Sequence, residues 1–106
     1  MPQADLFLTA DQTLNAVETL GLIERSILET DASAGACKGR AHRIADFHHS
    51  HILLKLSMLA KPHRDAAFAE RLGQQLANLL VGVALPANAV NVQISFDLIH
   101  YTSIKT

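Results

Sequence analysis

The stretch Val90-Asn-Val-Gln-Ile-Ser-Phe-Asp-Leu98 alternates apolar and polar residues without a break. Period two predicts a β-strand, because successive side chains of an extended chain point to opposite faces of a sheet. Val90, Val92, Ile94, Phe96 and Leu98 then share a dry face, while Asn91, Gln93, Ser95 and Asp97 share a wet one. A sheet built on this strand needs a cover on its dry side only. Two segments of helical period elsewhere in the chain are the candidates for that cover.

The first of them follows a short strand. Leu6-Phe-Leu8, behind Met1-Pro2 and Gln3-Ala-Asp5, reads as extended chain, and Pro2 suits a strand's first residue because it has no amide hydrogen to give to the ladder. Thr9-Ala-Asp-Gln12 has the spacing of a capping box and predicts a helix beginning near Asp11. Leu14, Val17, Leu20, Ile23 and Ile27 recur at roughly helical spacing, with Glu18, Glu24, Arg25 and Glu29 elsewhere on the cylinder, so the helix is expected to run to about Thr30. Gly21 weakens its interior by about 1 kcal/mol relative to alanine. Asp31 to Gly39 is a loop of small residues.

Arg40 to His48 reads as a second strand and His51 to Leu59 as a third, apolar enough on both parities to be largely buried. His49-Ser50 is short enough for a hairpin turn between them. Ala60 to Asp65 is a basic turn in which Pro62 ends the strand and Asp65 caps the next helix. Phe68, Leu72, Leu76, Leu79, Leu80 and Val83 form that helix's apolar stripe, opposed by Glu70, Arg71, Gln74 and Asn78. Pro86-Ala-Asn88 stops it. Ile99 to Thr106 is a tail whose His100, Tyr101 and Ile104 suggest packing on a neighbour. The order is strand, helix, strand, strand, helix, strand, each half a right-handed crossover unit. With both helices on one sheet face, the expected fold is an α+β two-layer sandwich in a single domain, residues 1–106.

Composition narrows the function classes. Hydrophobic residues make up 49% of the 106 and charged residues 18%, the balance of a folded domain rather than a disordered one. Nine Lys and Arg against ten acids leave no basic stripe for phosphates, so no nucleic-acid partner is expected. No run approaches the roughly 18 to 20 apolar residues that span a bilayer, so no membrane partner is expected either. Cys37 is the only cysteine, which excludes an intrachain disulfide and fits a cytoplasmic setting. High apolar content in a small chain suggests an oligomer.

Three kinds of residue could carry chemistry. His48, His49 and His51, with His42 nearby, invite a metal reading. On a strand, however, His49 and His51 share a side that His48 does not, and no carboxylate stands at ligand spacing, so no metal site is expected. Cys37, in its small-residue loop, reads as a passive thiol. Pro2 is sharper. Initiator Met is usually removed before a residue as small as Pro, leaving a free secondary amine. In a low-dielectric pocket near cations the protonated form of such an amine is disfavoured and it can act as a base near neutral pH, whereas the Met-Pro dipeptide by itself reads as a strand-initiating residue behind a clipped Met.

The chain as a whole resembles the tautomerase superfamily, and within it the 5-carboxymethyl-2-hydroxymuconate isomerases. The resemblance rests on Met1-Pro2 before a strand, the order of elements, Lys38-Gly-Arg-Ala-His42, His51-Ile-Leu-Leu-Lys-Leu56, Arg64 just before the second helix, and Val92-Gln-Ile-Ser-Phe-Asp-Leu98. It implies a homotrimer whose sheets form an inner barrel, with the wet face of the Val90 strand turned inward. It also implies a cofactor-independent isomerase of aromatic compound catabolism, in which Pro2 moves a proton between carbons of a small unsaturated keto or enol carboxylic acid. Lys38, Arg40 and Arg64 would bind that carboxylate substrate and stabilise the developing dienolate. Lys38 stands where the family shows arginine, keeping the charge without the planar fork. Asp5 departs from a usually apolar position, and an acid near the amine would raise its pKa. By the residues alone, the three cations read equally as solvated loop charges. The alternative function is a non-catalytic oligomeric α+β protein that binds a small ligand through the same sheet edge.

Overall fold

Alternating side chains build the sheet and helical stripes cover it. The computed structural model describes residues 1–84, 89–97 and 101–106. In order they form β1 (Gln3–Thr9), α1 (Ala16–Thr30), a single 3-10 turn (Ala32–Ala34), β2 (Lys38–Ile44), β3 (Ile52–Leu59), α2 (Ala66–Val83) and β4 (Val90–Asp97). The fold is the expected α+β two-layer sandwich, β-α-β-β-α-β. The expected helix stop at 86–88 and residues 98–100 lie outside the described residues.

The strand order is β2-β1-β3-β4. β1 runs parallel to β2 and antiparallel to β3, and β3 runs parallel to β4. Each half is thus a crossover unit, as expected, but β2 and β3 are not a hairpin. β1 lies between them, because Ala4, Leu6 and Leu8 are wholly buried and the strand that carries them takes the interior of the sheet. The chain crosses the end of β1 instead, where Ala10 donates to the Ile44 carbonyl and Thr9 to that of His51. His49 turns there with a φ of 63°.

The core lies between sheet and helices. Leu54, Leu56 and Met58 of β3 meet Phe68, Leu72, Leu76 and Leu80 of α2, all essentially shielded from solvent. Asp65 caps α2 as expected, accepting from the Phe68 amide at 2.9 Å. The start of α1 differs. Its cap is Asn15, whose side chain accepts from the Glu18 amide at 3.0 Å, four residues later than the predicted start near Asp11. Thr9 is still the last residue of β1, and its hydroxyl donates to Asp11 at 2.6 Å instead of capping a helix. The buried stripe differs as well: Val17 is 80% exposed, while Thr19, Ile23, Ser26 and Ile27 are buried. The Gln75 amide nitrogen on α2 donates to the Ser26 hydroxyl at 2.8 Å, and Gln75 Oε1 accepts from Thr30 at 2.9 Å. A polar seam therefore joins the two helices.

Gly39 lets α1 come down on β2. A Cβ there would stand 2.9 Å from Leu20 Cδ2, and its register partner on β1 is Ala4, also small. Among the described residues, no helix lies on the opposite face of the sheet. Gln3, Asp5 and Phe7 of β1 point that way, with Lys38, Arg40 and His42 beside them on β2 and Lys55 and Ser57 on β3. Asn91, Gln93, Ser95 and Asp97 complete this open face, so the wet side of the Val90 strand is where its alternation puts it. Tyr101 of the tail lies against its own chain, accepting a hydrogen bond from Gln3 Nε2 at 2.8 Å.

Candidate active site at the start of the sheet

Parallel pairing brings the start of β2 beside the start of β1. Pro2 is buried there, and its carbonyl accepts from the Lys38 amide at 2.8 Å. Met1 precedes it at the surface, 36% exposed, so the Pro2 nitrogen is an amide nitrogen for as long as Met1 remains. Lys38 is exposed and shares the face of Gln3, its register partner. Of the expected cations, Lys38 is the one whose backbone bonds to Pro2, and no ion pair engages it among the described residues.

Arg40 lies two residues further along the open face and is already engaged. Its Nε donates to Asp5 Oδ1 at 2.6 Å, Nη2 to Oδ2 at 3.1 Å and Nη1 to Gln3 Oε1 at 2.9 Å. His42 Nε2 reaches the same Asp5 oxygen at 2.8 Å and stacks its ring on Phe7, centroids 4.6 Å apart. The Arg40 guanidinium holds the Asp5 carboxyl below its ordinary range; burial works against this and His42 reinforces it. Asp5 has the opposite parity to the buried Ala4, so it faces away from the helix side, and its charge is met by these two partners. That answers why an acid stands in an otherwise apolar strand.

Arg64 is held more tightly. Its side chain is 3% exposed and that of Asp31, after α1, is 6% exposed, with Nη2 2.8 Å from Oδ2. Nε also donates to Oδ2, and Nη1 to the Leu59 carbonyl at 2.7 Å. His63 Nε2 contacts Asp31 Oδ2 at 2.8 Å, and the Ser33 amide donates to Oδ1 at 3.0 Å. Burial pushes the Asp31 carboxyl up, but the hydrogen bonds from Ser33, His63 and Arg64 outweigh it and hold it well below the usual carboxylate range. The cluster ties the end of α1 to the turn before α2. The sequence reading missed Asp31, His63 and Gln3 as partners. The signal for Asp31 was available: an acid directly after a helix, with serine two residues on, is the spacing of an Asx turn.

Cys37 donates its amide to Glu24 Oε2 at 2.8 Å. Burial, and then the Glu24 charge, push its thiol up to about 11, which makes it inert. No group of His, Cys, Asp and Glu among the described residues could hold a metal ion. Among the same residues no helix is long and apolar enough to cross a membrane.

No family model and no curated protein matches the sequence. Solved structures do match the fold. A fused 4-OT wild type in a symmetric trimer aligns over 91% of this chain and 85% of its own, with a TM-score of 0.73 at 13% identity. A 5-carboxymethyl-2-hydroxymuconate isomerase from Deinococcus radiodurans R1 covers 98% of this chain and 88% of its own, with a TM-score of 0.69 at 15% identity. The fold is that of the tautomerase superfamily. A 5-carboxymethyl-2-hydroxymuconate delta-isomerase aligns over the whole of this chain and 87% of its own at 14% identity, with a TM-score of 0.60. Identities this low carry the architecture and leave the chemistry to this chain's own residues.

Proposed function

We propose that this chain is a cofactor-independent isomerase of the tautomerase type. Its substrate is a small unsaturated keto or enol carboxylic acid, similar to 5-carboxymethyl-2-hydroxymuconate, in keeping with aromatic compound catabolism in the cytoplasm. The observation that carries the reading is Pro2, buried at the head of β1 with exposed Lys38 beside it, in a tautomerase fold. Removal of Met1 turns the Pro2 nitrogen into a secondary amine. Its shielded position disfavours protonation, so it takes a proton from one carbon of the substrate and returns it to another. Lys38 holds the substrate carboxylate as a point charge. Arg40, fixed by Asp5 and Gln3, adds positive potential to the developing dienolate. Arg64 serves as a positioning residue: its donors are spent on Asp31 and Leu59, and through them it sets the loop leading to β2. A homotrimer closed over the open sheet faces would wall the site, and one related structure is a symmetric trimer.

The commitment of Arg40 and Arg64 to acids of their own chain favours the second reading, a non-catalytic oligomer binding a small ligand. One experiment separates the two. Mass spectrometry of the mature N-terminus is followed by a ketonisation assay on a 2-hydroxymuconate analogue with wild type and Pro2→Ala. Loss of Met1 and a proline-dependent rate support the isomerase. A retained Met1, or a rate indifferent to Pro2, leaves the binding protein.

A further inference from the structure

Lys55 lies directly opposite Asp5 in the antiparallel β1–β3 ladder, the usual place for an ion pair. None forms among the described residues, because Asp5 turns to Arg40 and His42 on the other side. Lys55 leans toward Phe7, its Nζ 5.8 Å from the ring centroid. It borders a depression of about 120 Å³ on the open face, floored by Ser57, Gln93 and Ser95 and rimmed by Gln3 and Asp5. Register explains the cluster: Ser57 is paired with Ser95, and Lys55 with Gln93, so four polar side chains project side by side. Among the described residues, the side chains of Ser57, Gln93 and Ser95 have no hydrogen-bond partner.

We propose that this depression binds a small oxyanion, a phosphate or a carboxylate group. Lys55 supplies the charge, and Ser57, Ser95 and the Gln93 amide supply neutral donors. The volume, about that of four liquid waters, suits an anion of four or five heavy atoms. The Asp5 charge beside it is met by the Arg40 guanidinium, which bonds both carboxylate oxygens, and Lys55 remains the charge without an ion-pair partner among the described residues. Neither Pro2 nor Lys38 lines this depression, and the inference does not depend on the isomerase reading.

The test is a titration of the purified protein with sodium phosphate and, separately, sodium acetate, at an ionic strength held constant with chloride, followed through backbone amide NMR shifts. Saturable shifts at Ser57, Gln93 and Ser95 are expected with at least one of the two, and the stronger one tells a tetrahedral from a planar anion site. Lys55→Met should weaken half-saturation about tenfold. Lys61→Met, on the far side of the covered layer's turn, should leave it unchanged. If Lys55→Met does not fold, Ser95→Ala carries the same expectation with a smaller loss. Shifts that stay linear, that chloride reproduces, or that fall equally with Lys61→Met would overturn the site and leave Lys55 as a solvated charge.

Discussion

Arg64 delivers its guanidinium to Asp31 with Nη2 2.8 Å from Oδ2, and both side chains are almost wholly shielded from water. An ion pair in such a place costs desolvation on both sides, and it holds only while each charge has the other. Asp31→Asn should therefore destabilise the protein by about 3–5 kcal/mol, because it leaves the guanidinium buried without its counter-charge. Asp5→Asn breaks the analogous contact at a half-exposed arginine and should cost less than about 1 kcal/mol. Urea unfolding of the two variants against wild type checks the contrast.

The depressed Asp31 carboxyl gives stability a direction with pH. Its folded-state value lies below that in the unfolded chain, so the stabilisation is complete above the unfolded value and is lost as pH falls below it. Asp5 and Asp11 are shifted the same way, Asp11 by the hydroxyls of Ser50 and Thr9. The urea midpoint should hold from neutrality to about pH 5 and then fall steadily in acid. Asp31→Asn should start lower and show a shallower acid limb.

Cys37 should resist alkylation. A thiol pushed up to about 11 carries little thiolate at mildly alkaline pH, and the nearby Glu24 charge opposes more. Iodoacetamide should modify it about tenfold or more slowly than a free cysteine at the same pH, and denaturant should abolish the difference. Fast modification of the folded protein would show that the thiol is open.

Two local features of α1 can be probed separately. Asn15→Ala removes the cap and should cost about 1 kcal/mol. Gly39→Val places branches against Leu20, where even a Cβ would stand at 2.9 Å, and should cost about 1–3 kcal/mol by overpacking. Thermal melts of the two variants give both values, and a neutral Gly39→Val would mean that α1 can ride higher on β2.

The alternation of Val90 to Asp97, the stripe from Phe68 to Leu80 and the cap at Asp65 were legible because each depends on residues close in sequence. The position of β1 between β2 and β3 was not. Adjacent strands separated by a short turn pair more often than not, and only the complete burial of Ala4, Leu6 and Leu8 outweighs that preference. The capping box at Thr9 misled for a similar reason: the ladder kept Thr9 in β1, and a tertiary contact overrode a local signal. At the candidate site, the basic residues were readable as charges. Their partners were not, since Asp5 with Arg40 and Asp31 with Arg64 meet across 35 and 33 residues of chain.

Placing β1 against β3 also makes the molecule divisible. Residues 45–49 are all exposed, and the ladder that unites the halves does not run through them. Each fragment left by a nick there keeps a complete crossover unit, and the seam between fragments includes the β1–β3 ladder, the Gln75 contacts to Ser26 and Thr30 and the contacts of Arg64 and His63 with Asp31. Separately produced pieces can therefore be expected to recombine, which would let residues of one half be isotopically labelled or chemically altered without touching the other.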